Sequence, residues 1–166
     1  MHSNDEELRR AIEAVYQRII SRTQSRGASI TGCHGLMSVS GDRFYQIISH
    51  NPLVVVVFTS PLCPACEAYK PIVEWVAEAL EGVACFLVVD VYRDEELAIR
   101  YGVEMTPTTI VFANGEPIVG AMGILDPETL LDMISEAASK LEEGKAKTIL
   151  ERIKNAKNSL ALRGYM

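Results

Sequence analysis

The chain has 166 residues, 48% of them apolar and 23% charged, an ordinary globular composition with room for one sizeable core. Its net charge of −6 lacks the basic footprint that nucleic acid requires. The longest wholly apolar run, Leu53–Phe58, is far too short to span a bilayer, and Met1–Glu7 shows no apolar leader, so the expectation is a cytoplasmic protein with neither membrane nor nucleic-acid partners.

Leu8, Ile12, Val15 and Ile19 fall at helical spacing on an Arg-rich background, which predicts a first helix that Ser3 or Asn4 can cap and that ends before Gly27. A β-prone stretch follows at Ser29–Val39, then a short helix from Ser40 to about Ser49, stopped by Asn51-Pro52. Leu53–Phe58 reads as a strand buried on both faces of a parallel sheet. Cys63 to Leu80 is helical, Val83–Val91 a second buried strand, and Asp94–Tyr101 a short helix. Asn114-Gly115 joins strands Thr108–Phe112 and Pro117–Gly120 as a hairpin. Asp126-Pro127-Glu128 opens a helix expected to run to about Glu143, with Gly144 as its breaker, before a last helix striped by Ile149, Ile153, Ala156 and Leu160.

The order β-α-β-α-β-β-α, with a leading strand and helix, predicts an α/β fold: a three-layer arrangement of a central mixed sheet flanked by helices, with an extra helix at each terminus. Residues 41–140 carry 5 Lys/Arg against 15 Asp/Glu between mildly basic ends, which suggests a core domain with extensions. The bounds expected are an extension and leading strand (1–37), a central domain (38–143), whose limits follow a family resemblance given below, and a C-terminal extension (144–166).

Chemistry concentrates in Cys63-Pro64-Ala65-Cys66, at the junction of a buried strand with a helix. The helix N-terminus offers unpaired N–H groups and a partial positive charge that favour a thiolate on Cys63, while Cys66, one turn on, should face inward. A structural zinc site wants four ligands and a second cysteine pair, which the sequence does not supply, so the expectation is no metal. Two inert thiols are the other bland reading.

The run Phe58–Pro71 resembles the active-site strand and helix of the thioredoxin family, with Pro71 in the place of the proline that kinks that helix. Tyr101–Thr108 is similar to the segment holding the family's cis-proline, here Pro107. Asn114-Gly115-Glu116 and Val119-Gly120-Ala121 look like its hairpin and the glycine behind the active site. The resemblance spans about residues 38–143.

It implies a thioredoxin-like thiol–disulfide oxidoreductase acting on protein disulfides, with Cys63 as nucleophile and Cys66 as resolving thiol. It also implies a cis Thr106–Pro107 bond, substrate contacts at Pro64, Ala65, Thr106, Pro107 and Gly120, recycling by a thioredoxin-reductase-like flavoprotein, and no resident cofactor. The same topology brings Cys33 and Cys85 onto neighbouring strands, as a candidate structural disulfide or as two small buried hydrophobes. Three departures stand out. Leu62 replaces the family's tryptophan, Pro64-Ala65 replaces Gly-Pro, and Val57 and Val88 take the places of a buried carboxylate and its neighbouring lysine. Proton handling would then fall to water or to Glu67.

His2, His34 and His50 show no ligand spacing, and Tyr69, Trp75 and the methionines fall where core packing explains them. A competing function class is an interaction module. The terminal stripes would then make a homodimer or partner contact, whereas in a monomer they would pack on their own core.

Overall fold

The computed structural model describes residues 3–25 and 32–164, with the side chains of residues 3–4 and 19–25 outside the description. In chain order the elements are α1 (Ser3–Ser25), β1 (Leu36–Ser38), α2 (Gly41–His50), β2 (Leu53–Thr59), α3 (Pro64–Ala79), β3 (Cys85–Asp90), α4 (Glu95–Arg100), β4 (Thr108–Ala113), β5 (Glu116–Met122), α5 (Pro127–Ala138) and α6 (Glu143–Leu162). The strands form one sheet in the order β1-β3-β2-β4-β5. The first three are mutually parallel, and β4 and β5 run antiparallel.

β2 sits at the centre and explains the layering. Its side chains alternate between faces, as any strand's must. Leu53, Val55 and Val57 pack with α3, α5 and α6; Val54, Val56 and Phe58 pack with Phe44 and Ile47 of α2 and Leu97 of α4. An unbroken apolar run is thus what a strand covered by helices on both faces requires.

The helix expected to run to Glu143 stops five residues earlier, and the last helix starts sooner than Gly144 suggests. α5 ends at Ala138, and Gly144 lies in the first turn of α6 rather than breaking anything. The chain reverses between them because the stripes on both helices must face one core: Leu130 and Ile134 of α5 and Ile149, Ile153 and Leu160 of α6 share a single buried cluster, with Leu141 tucked in at the turn. Gly144 is the second residue of α6, outside the helix interior where glycine's loss of backbone freedom costs most. Lys157 of α6 pairs with Asp132 of α5, and Arg152 donates to the carbonyls of Ala79 (3.0 Å) and Glu81 (3.1 Å) at the end of α3. Residues 144–162 are therefore packed into the core rather than set apart.

α1 behaves differently. Leu8, Ile12, Val15 and Tyr16 are each more than half exposed. Ser3 and Asn4 lie inside the helix rather than preceding it as caps. The Ile19 side chain and the expected β-prone residues 29–31 lie outside the described residues. No helix among the described residues is long and apolar enough to cross a membrane.

Candidate active site

The end of β2 delivers the chain to a tight loop, Ser60–Leu62, and then to Cys63, which caps α3. Leu62 adopts a left-handed backbone (φ 56) and is fully exposed, a conformation disfavoured for a bulky residue and of the kind that collects at functional sites. Pro64 occupies the first turn of the helix, where its missing N–H is not needed. The Cys66 N–H donates to Cys63 Sγ at 3.2 Å, so the sulfur itself serves as the helix cap. Cys63 is half-buried, Cys66 is 8% exposed, and the two are joined as a disulfide with Cα atoms 5.2 Å apart.

Opposite stands the loop before β4. The Thr106–Pro107 peptide is cis. The Thr106 carbonyl oxygen lies 3.8 Å from Cys63 Sγ, and the Thr106 hydroxyl donates to that sulfur at 3.6 Å. The hydroxyls of Ser60 and Thr106 bond each other at 2.7 Å. Pro64 and Ala65 follow Cys63 on the same rim.

Gly120 is not brought to this site. It pairs with Ile110, well inside the β4–β5 ladder. The glycine beside the cis-proline is Gly123, whose N–H donates to the Pro107 carbonyl at 2.8 Å with φ 87. Counting pairs outward from the Asn114-Gly115 turn, through a bulge at Val111/Phe112, brings Met122 opposite Thr108 and so Gly123 beside Pro107. The bulge moves the residue beside Pro107 from position 122 to Gly123; with or without it, Gly120 stays inside the ladder. The methionines also divide. Met133 is buried, but Met105, beside Thr106, is 47% exposed and Met122, paired with Thr108, is 63% exposed, so core packing does not explain these two.

Behind Cys66 lies a hollow of about 380 Å³ lined by Val57, Val88, Thr59, Ser60, Glu67 and Lys70, among others. Val57 and Val88 face each other in register, so no charged pair stands there; Glu67 borders the hollow from the exposed side of α3. Tyr69, one turn beyond Cys66, is buried and shares a 2.8 Å hydroxyl bond with Thr109. Burial pushes its phenol up to about 12, with the Thr109 bond opposing that rise.

Away from this site, Cys33 and Cys85 are joined as a buried disulfide with Cα atoms 5.5 Å apart, within the usual range. It ties the loop before β1 to the first residue of β3. Trp75 is half-buried against the core; His34 is exposed, and His50 bonds locally to the Gln46 carbonyl at 2.7 Å. Among the described residues no cluster of three or more His, Cys, Asp or Glu could hold a metal ion.

The family model for thioredoxin matches residues 35–136, more than half of the chain. The chain belongs to the thioredoxin family. It is 34% identical over 91 residues to a probable thioredoxin-2 of Caenorhabditis elegans, covering 55% of this chain and 63% of that protein. It is also 34% identical over 87 residues to a protein disulfide isomerase-like 2-3 of Oryza sativa subsp. japonica, covering 52% of this chain and 20% of that protein. The chain thus spans less than two thirds of the length of either relative. Among solved structures, a mutant thioredoxin from Halobacterium salinarum NRC-1 superposes with a TM-score of 0.59 at 30% identity, over 65% of this chain and 94% of that one. The thioredoxin core thus accounts for β1 through α5, while α1 and α6 lie outside the matched residues.

Proposed function

We propose that this protein is a thiol–disulfide oxidoreductase that reduces protein disulfides. The observation that carries the reading is the Cys63–Cys66 pair at the start of α3, its half-open sulfur facing the Thr106 main chain across a cis-proline. In the reduced protein the Cys63 thiolate attacks one sulfur of a substrate disulfide. That S–S bond breaks, the distal sulfur leaves as a thiolate, and a mixed disulfide forms. Cys66 then loses its proton toward the hollow and attacks Cys63 Sγ. The second substrate thiolate leaves, and two electrons have passed from the cysteine pair to the substrate. An extended substrate segment would pair with the Thr106 backbone, flanked by Pro64, Ala65, Pro107 and Gly123. A thioredoxin-reductase-like flavoprotein would return the electrons, and the reaction needs no resident cofactor.

Reduction of insulin disulfides by the reduced full chain, followed by turbidity, tests this reading. We expect clear acceleration that Cys63→Ser abolishes; no acceleration over dithiol reductant alone would sink it. The interaction-module alternative is not favoured, since α6 spends its stripe on its own core. Whether the protein is a monomer or a homodimer through α1 is read by sedimentation of the full chain. A cytoplasmic setting belongs to the same proposal; the Cys33–Cys85 bond weighs against it, because disulfides persist chiefly in oxidising compartments.

A further inference from the structure

Phe58 of β2 pairs with Thr108 of β4, and an antiparallel register continued two residues outward sets Ser60 opposite Thr106. Their hydroxyls meet at 2.7 Å, and Thr106 Oγ1 lies 3.6 Å from Cys63 Sγ. A threonine hydroxyl has one hydrogen to give. If that hydrogen points at the sulfur, the short bond to Ser60 must have Ser60 as its donor. If it points at Ser60, the sulfur loses a donor. The direction of the Ser60–Thr106 bond and the aim of the Thr106 hydroxyl are therefore coupled.

We propose that Ser60 is a positioning residue for the thiol exchange: its hydroxyl donates to Thr106 Oγ1, which turns the Thr106 O–H onto Cys63 Sγ and stabilises the attacking thiolate. This deepens the oxidoreductase reading and rests on it. Chained hydroxyls polarise one another, and a bond to an ionised acceptor is about twice as strong as a neutral one, so the relay gains most when Cys63 is charged. It adds two side-chain hydroxyls to what the Cys66 N–H and the start of α3 already supply. Ser60 and Thr106 are both half-buried, which limits competition from water without closing the site.

Ser60 borders two hollows. One carries Glu67, Lys70, Glu74, Tyr69 and Cys66 of α3; the other carries Tyr92 and Glu104 from the flanking loops. These titratable groups stay in place when only a hydroxyl is removed, so they form a constant background.

The test is the pH dependence of alkylation at Cys63 by iodoacetamide in the reduced full chain, resolved by peptide mass spectrometry, with circular dichroism confirming the fold. The midpoint should rise by about one unit in Thr106→Val, as a lost bond to a charged group implies, and by about half a unit in Ser60→Ala. Ser60→Thr and Thr106→Ser should restore it, and Ser60→Ala should add nothing in a Thr106→Val background. A Ser60→Ala midpoint equal to the parent's, or an equal rise with and without the Thr106 hydroxyl, overturns the relay. A displaced midpoint in a protein that cannot reduce insulin overturns the oxidoreductase reading instead and leaves the relay standing.

Discussion

Val57 on β2 lies directly opposite Val88 on β3, and both line the hollow that opens on Cys66. Two apolar side chains there spare the fold the desolvation of a buried ion pair. They also leave the Cys66 proton to groups that border the hollow from outside.

Restoring a carboxylate should therefore show a trade. Val57 is 3% exposed, so Val57→Asp should lower stability by about 1–3 kcal/mol at neutral pH. Burial raises a carboxyl's pKa above its unfolded value near 3.9, so the cost of burying the neutral acid persists at low pH, and a further deficit grows as pH rises from about 3.9 through the folded value. Urea unfolding across pH reads this. The pH profile of insulin reduction should change in the same variant; an unchanged profile in folded protein argues against proton transfer at this position.

The buried Tyr69–Thr109 hydroxyl pair carries a second expectation. The phenol is pushed up to about 12 from an ordinary 10, chiefly by burial. Its neutral form therefore contributes stability that is complete below about pH 10 and lost as pH rises toward 12. Ultraviolet titration of tyrosinate should lose its late phase near pH 12 in Tyr69→Phe, while Tyr101, which burial also pushes up, still ionises above the exposed tyrosines. That variant strands the Thr109 hydroxyl and should cost about 1–3 kcal/mol, part of which Thr109→Val recovers.

The two terminal helices should respond oppositely to truncation of one side chain. Ile149 is fully buried and Ile12 is 59% exposed. Ile149→Ala should cost about 2–5 kcal/mol, and Ile12→Ala should stay within about 0.5 kcal/mol. Guanidinium unfolding of both variants checks it; equal effects would contradict the packing of α6.

That contrast shows what a sequence can and cannot convey. The spacing of Leu8, Ile12 and Val15 is as helical as that of Ile149, Ile153 and Leu160, yet only the second stripe meets the core. Periodicity reports which face is apolar, and the partner of that face is a matter of tertiary placement. Leu53–Phe58 was legible because burial on both faces leaves no polar position to mislead. The Cys63–Cys66 turn was legible because its chemistry is local. Gly120 was misplaced because the segment holds two glycines three residues apart, and only the β4–β5 pairing tells which one reaches Pro107; the boundary between α5 and α6 was set too late because Gly144 resembles a breaker while lying in the first turn of α6. The Ser60–Thr106 contact spans 46 residues and exists only through strand pairing.

The Cys33–Cys85 bond closes a loop of 52 residues. Chain-entropy arguments give such a cross-link about 4 kcal/mol, with about 2–4 typical in practice. Replacing both cysteines with serine should lower stability by about that much while leaving thiol exchange at Cys63 intact. Because both sulfurs belong to residues at most 5% exposed, mass tagging under graded reductant should show Cys63–Cys66 opening first.

The division of labour between Cys63 and Cys66 makes the sharpest demand. Cys63 is half-buried and receives the Cys66 N–H and the Thr106 hydroxyl, groups that favour a thiolate. Cys66 is 8% exposed beside the Val57 and Val88 walls, and apolar surroundings favour its neutral thiol. Attack rate follows both thiolate fraction and access, so the pair should be kinetically one-sided. Reduced Cys66→Ser, mixed with a protein disulfide, should stall as a stable mixed disulfide through Cys63. Reduced Cys63→Ser should trap at least roughly tenfold less at neutral pH, the ratio that one unit of pKa difference produces before access is counted. Mass spectrometry of the trapped species decides between them. Equal trapping by both variants, or trapping through Cys33 or Cys85, would reverse the assignment and with it the direction of attack.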